Sequence, residues 1–283
     1  RAYNLYSTQS LFRAAFRRGH KPEVIDHQRC NLIIEQKLPQ ILYEGKRLSG
    51  IDAVIPRVGA SVTAYGASVI KHFELMGIFT PVRSDSLLQS RDKLRSLQKL
   101  SVSDVGVPKT FIVNNLEDLP RMLNYLDGAP VVIKLLEGTH GAGVILAESK
   151  NTAISIVEAF HKTGQKVLVQ EFIEEAGGAD IRAIVVGGQI VATMKRQASE
   201  GEFRSNLHRG ATAIPINLTE EEERTVKKAA RIMGLDVAGV ALLQAKRGPL
   251  IMEVNASPGL EGIETTTKTD VAGEIIDYVV KKV

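Results

Sequence analysis

Apolar positions recur along this chain with two different periods, and each period predicts a different kind of element. In residues 1–83, apolar side chains at helical spacing predict helices over about 11–16 and 62–76, whereas short apolar runs near 52–56 and 80–82 predict strands. Alternating helices and strands with short connections favour a parallel α/β sheet. Because the first helix of such a unit normally follows a strand, we also expect a strand before the first residue.

The rest of the chain shows the same mixture of periods. Helices are predicted over about 91–100, 116–126, 152–163 and 220–233, and strands over about 110–113, 131–135, 144–147 and 167–173. Gly187 and Gly188 lie between apolar runs and predict a β-hairpin, and a second hairpin is predicted around 246–249. The length predicts three lobes, with soft boundaries because no low-complexity linker separates them. We place them at residues 1–83, 84–168 and 169–283.

The composition is that of an ordinary globular protein. Of 283 residues, 44% are hydrophobic and 24% charged, and 36 Lys and Arg against 32 Asp and Glu leave a formal net charge of +4. No apolar run approaches the roughly 20 residues needed to cross a bilayer, so no membrane association is expected. The lone cysteine, Cys30, cannot form an internal disulfide, which predicts a reducing, cytoplasmic location.

Two other interpretations of the basic residues are weaker. The first acidic residue is Glu23, and an acid-poor, Arg-containing start can be a targeting presequence, but the apolar stripe favours a folded helix. A nucleic-acid-binding module would use the surplus positive charge. The basic residues are spread over all lobes without interleaved aromatics, so direct nucleic-acid binding is not expected.

A glycine-rich stretch follows the predicted strand that carries Lys134. Gly138, Gly141 and Gly143 let backbone N–H groups approach an anion closely, and the nearby ammonium adds positive charge. The stretch leads into another strand, which favours a flap over phosphate groups rather than a loop at a helix N-terminus. A plain hairpin and a lysine that extends to solvent are the alternatives.

The segment 250–259 predicts a metal site on a strand. Side chains alternate faces along a strand, so Glu253 and Asn255 project together, and two oxygen ligands suit a hard cation such as Mg²⁺. If the preceding hairpin is centred on Arg247, Ala241 faces Glu253. Alanine therefore occupies the position where a third ligand would be most useful. The alternative to a metal site is an edge strand with one solvent-exposed face.

Six segments taken together resemble the RimK-type alpha-L-glutamate ligases of the ATP-grasp superfamily. In order, they are AVIPRVG (53–59), RDKLRS (91–96), VIKLLEGTHGAGV (132–144), VQEFIEEAGGADIR (169–182), EGEFRSNLHRG (200–210) and LIMEVNASPGLEGIE (250–264). The resemblance spans essentially the whole chain. It implies an α/β (α+β) ATP-grasp fold with an N-terminal Rossmann-like pre-ATP-grasp lobe.

The resemblance also implies roles for individual residues. It assigns the ATP site to Lys93, Lys134, Gly138, Gly141, Gly143, Glu171, Phe172, Asp180, Arg204, Ser205 and Asn206. It assigns catalytic roles to Lys134, Arg204 and Arg209, with Arg196 as a further candidate to hold a carboxylate, and metal binding to Glu253 and Asn255. The chain departs from the family pattern at Ala241, where relatives have an aspartate ligand, and at Ala211, which replaces a common glycine.

The implied reaction uses ATP and two Mg²⁺ or Mn²⁺ ions to add L-glutamate to the C-terminal carboxylate of a ribosomal small-subunit protein through an acylphosphate. A homo-oligomer, a tetramer by resemblance, is expected. Neither a Ser-His-Asp nor a Cys-His arrangement is needed, and His208 is as compatible with a positioning role as with a base. Three alternatives stay open: a carrier-protein acceptor, a small-molecule cofactor acceptor, and a weakened ATP-binding regulator that results from Ala241.

Overall fold

The computed structural model describes residues 3–136 and 143–283. Its helices are α1 Tyr6–Arg17, α2 Thr63–Leu75, α3 Ser84–Arg91, α4 Lys93–Ser101, α5 Leu119–Tyr125, α6 Lys150–Lys162, α7 Glu220–Ile232, α8 Glu261–Thr267 and α9 Val271–Val280. Its strands are β1 Cys30–Ile33, β2 Gln40–Tyr43, β3 Lys46–Arg47, β4 Thr110–Ile112, β5 Val131–Leu135, β6 Val144–Ala147, β7 Val167–Glu171, β8 Ala179–Val186, β9 Gln189–Gln197, β10 Thr212–Pro215, β11 Val237–Ala245 and β12 Gly248–Asn255. The predicted mixed α/β class is confirmed.

The first sheet is antiparallel, with the order β1-β2-β3. Glu44 and Gly45, both at positive φ, close a tight hairpin between β2 and β3, and none of these three strands was predicted. The parallel sheet predicted from the strands near 52–56 and 80–82 does not form as a sheet within the described residues. Parallel pairing in the described part of the chain is confined to an isolated bridge between Ala53 and Phe79. The sheet packs on α2 around a small core of Cys30, Ile41, Val69 and Phe73.

The second sheet has the order β4-β7-β5-β6, and its neighbouring strands run antiparallel. Helices α5 and α6 pack on it around a separate core that includes Leu123, Ile133 and Val157. At the end of β5 the Leu135 N–H donates to the Gly143 carbonyl (2.8 Å). Gly143 has φ +71°, and a Cβ there would collide with the Leu135 side chain, so glycine is required at this position.

The third sheet has the order β10-β9-β8-β11-β12 and is antiparallel. Both predicted hairpins, β8–β9 and β11–β12, belong to it. Its core is continuous with α1 and α2: Leu11, Ala14 and Ile70 pack in the same cluster as Ile184 and Val240. The N-terminal helices and the C-terminal sheet thus share one core, whereas the second sheet has its own.

A capping box starts α7 and connects this helix to the third sheet. The Thr219 hydroxyl accepts from the Glu222 N–H (3.3 Å), and the Glu222 carboxylate accepts from the Thr219 N–H (2.8 Å). The other carboxylate oxygen of Glu222 accepts from Gln244 of β11 (2.8 Å). No helix in the described residues is long and apolar enough to span a membrane.

Substitution of the capping residue tests this arrangement. We expect Thr219→Ala to lower the free energy of unfolding by about 1 kcal/mol, because one backbone donor at the helix start loses its partner. The same change inside α7, Thr225→Ala, is the control and should be neutral or slightly stabilising because alanine is the better helix former. Equal effects in urea denaturation would contradict the capping role.

Candidate functional site

The predicted metal ligands lie at the end of the β11–β12 hairpin. Ala241 pairs with Glu253, as predicted, and a β-bulge follows between Ala241 and Leu242. The Glu253 side chain is exposed, and Asn255 is half-buried with its Oδ1 accepting from the Ser257 N–H (2.8 Å). This bond orients the amide oxygen at the point where the chain leaves the sheet.

A metal ion would find few protein ligands here. In the described residues, no group of three or more His, Cys, Asp or Glu side chains is placed to hold a metal ion. Ala241 is fully buried beside Glu253 and supplies no oxygen. Glu253 and Asn255 therefore fit an ion such as Mg²⁺, which takes its remaining positions from water and phosphate. They do not form a closed protein cage.

The charge of Glu253 acts on four cationic side chains. Burial lowers the pKa of Arg91, Lys93 and Arg182, and the charge of Glu253 opposes that shift in each case. Burial lowers the pKa of Lys134 to about 8, with Lys93 adding to the shift and Glu253 opposing it. Asp92 and Asp180 also act on Lys93 and Arg182, but each is already paired with another arginine. The site therefore carries excess positive charge and favours an anion.

The two lysines are held at the end of β5. Lys134 Nζ donates to Gln170 Oε1 (2.6 Å), and Gln170 Nε2 donates in turn to Thr110 Oγ1 (2.8 Å). Lys93 Nζ donates to the Leu136 carbonyl (2.9 Å), so it reaches from the start of α4 to the same strand end. The structure thus brings both predicted phosphate-binding lysines together. Of the predicted flap glycines, Gly143 is described, whereas Gly138 and Gly141 lie outside the described residues.

The predicted adenine hinge has its own contacts. The Glu171 carboxylate accepts from the Lys109 N–H (2.5 Å) and pairs with Arg247 through two bonds, one of 3.1 Å. The Glu171 N–H donates to the Lys109 carbonyl (3.0 Å). An adenine contact at Glu171 would therefore use another backbone atom. The Phe172 ring packs edge-on against Phe203, with ring centroids 6.5 Å apart.

Two predicted site arginines already hold carboxylates of this chain. Arg204 forms a bidentate pair with Glu202 (2.9 and 2.7 Å), which lowers the pKa of Glu202 to about 2. Arg204 also donates to the Val144 carbonyl (3.3 Å), which connects it to the strand after the glycine-rich stretch. Asp180 is buried in a bidentate pair with Arg196.

The remaining residues of the 200–210 segment lie close to Arg204 in sequence. Ser205 is buried, and Asn206 precedes a 3₁₀ turn, Leu207–Arg209, which places the Arg209 backbone. The nucleotide and catalytic roles of Asp180, Arg204, Ser205, Asn206 and Arg209 remain predictions.

Sequence reasoning did not single out four polar residues near the hairpin end: Arg57, Arg91, Arg182 and Ser257. A Cβ at Gly239 would lie 2.7 Å from both Arg182 Nη2 and Pro258 Cβ, so glycine makes room for this guanidinium beside the loop after β12. All four residues fall inside the six segments quoted above, and a guanidinium within an apolar stretch could have drawn attention to Arg57 and Arg182.

A cavity of about 440 Å³ lies between α1 and the start of α9. It is lined by Ser10, Arg13, Arg17, Glu264 and Lys268 among others, and none of the predicted site residues lines it. Its buried carboxylate has structural partners: Glu264 accepts from the Ser10 hydroxyl (2.9 Å) and from the Ala272 N–H (2.8 Å). The cation cluster is therefore the stronger candidate for chemistry.

Comparison with known proteins places the chain in a family. The model of the RimK-like ATP-grasp domain matches residues 90–279, and that of the RimK PreATP-grasp domain matches residues 1–87. A probable alpha-L-glutamate ligase from Azotobacter vinelandii is 56% identical over 277 residues, which cover 98% of this chain and 92% of that relative. A protein of the same description from Pseudoalteromonas translucida is 55% identical with the same coverage.

Solved structures agree on the fold. The ATP-grasp ligase PsnB in complex with a minimal precursor has a TM-score of 0.79 at 19% identity, covering 100% of this chain and 97% of that one. A RimK domain ATP-grasp protein from Sphaerobacter thermophilus has a TM-score of 0.71 at 22% identity, covering 97% and 95%. The chain therefore belongs to the RimK-like family of ATP-grasp ligases.

Proposed function

We propose that this chain is an ATP-dependent ligase that joins the amino group of L-glutamate to a carboxylate of an acceptor. The observation that carries the proposal is the group of four cations around Glu253, because it suits a reaction in which phosphate and carboxylate charges meet. The names of the relatives, probable alpha-L-glutamate ligases, support glutamate as the amine.

The acceptor we propose is the C-terminal tail of a ribosomal small-subunit protein. A polypeptide acceptor agrees with the structural neighbours PsnB and MdnC, which were solved with precursor peptides. A cytoplasmic location and a homotetramer belong to the same proposal. A carrier protein or a small-molecule cofactor is the alternative acceptor, and the nature of the modified product distinguishes them.

The proposed reaction has two steps. An acceptor carboxylate oxygen attacks the γ-phosphorus of ATP, which gives an acylphosphate and ADP. The amino group of glutamate then attacks the acyl carbon, so that an amide forms, the C–O bond to phosphate breaks, and phosphate and a proton leave. Lys93 and Lys134 would hold the phosphate oxygens, and Arg182 would stabilise negative charge next to Glu253. Mg²⁺ or Mn²⁺ held by Glu253 and Asn255 would neutralise phosphate charge.

A second candidate function is an ATP-binding regulator with weak turnover. The observation that favours it is Ala241, which is buried against Glu253 where a ligand oxygen could lie. The two candidates differ in product, because only the ligase forms an amide.

Mass spectrometry tests the ligase directly. We expect that incubation of ribosomal proteins with the chain, ATP, Mg²⁺ and glutamate yields masses on one C-terminus that differ by successive glutamyl residues. Lys134→Met, which removes a phosphate-binding charge, is the negative control. If only a small molecule is modified, the acceptor assignment is wrong, and if ATP binds without any product, the regulator is favoured.

Replacement of Ala241 tests the metal site. We expect Ala241→Asp to increase glutamate-dependent ADP formation and to lower the Mg²⁺ concentration at half-maximal rate by about tenfold, because a carboxylate opposite Glu253 can share the ion. Ala241→Val is close in size to aspartate but has no oxygen ligand, and it serves as the control. Identical Mg²⁺ dependence in the two variants would show that this position does not bind metal.

The lowered pKa of Lys134 predicts a pH dependence of nucleotide binding. Phosphate binds the protonated amine, so ATP affinity measured without divalent metal should fall as the pH rises through about 8, by at most about tenfold per pH unit. Lys134→Arg keeps its charge throughout this range, and calorimetric titration should show a flatter profile. An unchanged slope would mean that another group titrates.

A further inference from the structure

We infer that Arg57, Arg91 and Ser257 form a binding subsite for a substrate carboxylate, separate from the lysines at the end of β5. The inference rests on the proposed function, since it names how an acidic substrate is recognised. The ligand is a carboxylate of either the incoming glutamate or the acceptor, and the experiment below distinguishes these two sources.

Two hydrogen bonds assemble the three residues. Arg91 Nη2 donates to the Val58 carbonyl (2.7 Å), which fixes the backbone next to Arg57. Arg57 Nη2 donates to the Pro258 carbonyl (2.7 Å), which fixes the loop next to Ser257. The subsite therefore forms only where the N-terminal helices meet the loop after β12, close to Asn255.

Neither guanidinium group forms an ion pair within the described residues, although the charge of Glu253 acts on Arg91. The two hydrogen bonds described above both go to backbone carbonyls. Burial, together with the nearby charge of Arg91, lowers the pKa of Arg57 to about 10. Arg196 and Arg204, by contrast, are each neutralised by a partner. Adjacent buried charges of one sign are costly unless an anion joins them.

Two polar atoms of the subsite are buried without any hydrogen-bond partner in the described residues. These atoms are Arg91 Nε and Ser257 Oγ. Buried polar groups nearly always have a partner, and a missing one costs free energy. A carboxylate supplies acceptors for both an N–H and an O–H, and planar guanidinium groups match its geometry. The ligand would thus complete the bonds that the protein leaves unmade.

Two alternative roles are less suitable. A purely structural role does not account for Arg91 Nε and Ser257 Oγ, because neither atom has a hydrogen-bond partner in the described residues. The phosphates of ATP have Lys93 and Lys134, which lie at a different strand end. Asn255 already bonds the Ser257 N–H, which leaves the Ser257 hydroxyl as the free group of this residue.

Calorimetric binding of three probes tests the subsite: L-glutamate, a short peptide that ends in glutamate, and ATP. We expect Ser257→Ala to weaken one acidic probe about tenfold, as for loss of a hydrogen bond to a charged group, with little change for ATP. Because the Ser257 hydroxyl has no protein partner, the unfolding temperature should not fall. Arg57→Gln should weaken the same probe more strongly.

The control removes an exposed arginine from the same region. Arg95 lies on α4 and pairs with Asp92 at the surface, so Arg95→Gln should leave all three affinities unchanged. Weaker glutamate binding assigns the subsite to the amine substrate, and weaker peptide binding assigns it to the acceptor. If Ser257→Ala and Arg57→Gln change only the affinity for ATP, or change no affinity, the inference is wrong.

The same experiment separates the inference from the proposed function. Binding does not require turnover, so an acidic probe that binds the parent chain and is weakened by Ser257→Ala supports the subsite even if no amide product forms. Conversely, glutamylation that proceeds with an unchanged KM for both glutamate and acceptor in Ser257→Ala overturns the subsite and leaves the ligase in place.

Discussion

The concentration of half-buried positive charge near Glu253 is the constraint on which the rest of the structure depends. Removing a cation from water is costly, and burial lowers the pKa of Lys134, Lys93 and Arg182 for that reason. These side chains come from β5, α4 and β8, so the charges meet only when the second and third sheets are assembled. The free energy gained by packing the apolar cores therefore has to offset the cost of bringing these cations together. An anion that binds between them would stabilise the folded state.

Five arginines of this protein differ in their partners rather than in their sequence context. Arg196, Arg204 and Arg247 each bind a carboxylate of the chain and stabilise local structure. Arg57 and Arg91 donate to backbone carbonyls, which leaves their positive charge available to an anionic ligand. The first kind sets the positions of strands and loops, and the second kind leaves positive potential inside the fold.

Much of the fold could be predicted from local patterns. Periodicity located α2, α6 and α7 closely, and paired glycines located the β8–β9 hairpin. The first sheet was not predicted, because its strands are only two to four residues long and show little periodicity, and the turn at Glu44 and Gly45 pairs two of them antiparallel. The two lysines of the site were predicted from resemblance. The contact between Arg57 and Pro258 joins residues 201 positions apart, and no local pattern contains it.

The β-bulge in the β11–β12 hairpin determines which side chain the site receives. Near the turn, Ala245 pairs with Gly248 and Leu242 with Ile251, and continuation of that register would place Met252 opposite Ala241. The bulge inserts one unpaired residue, so that Glu253 takes this place instead. The chain thus exchanges a thioether for a carboxylate at the centre of the cation cluster by a backbone irregularity alone. Deleting Met252 would therefore remove the irregularity and leave Glu253 opposite Ala241 in an unbroken ladder.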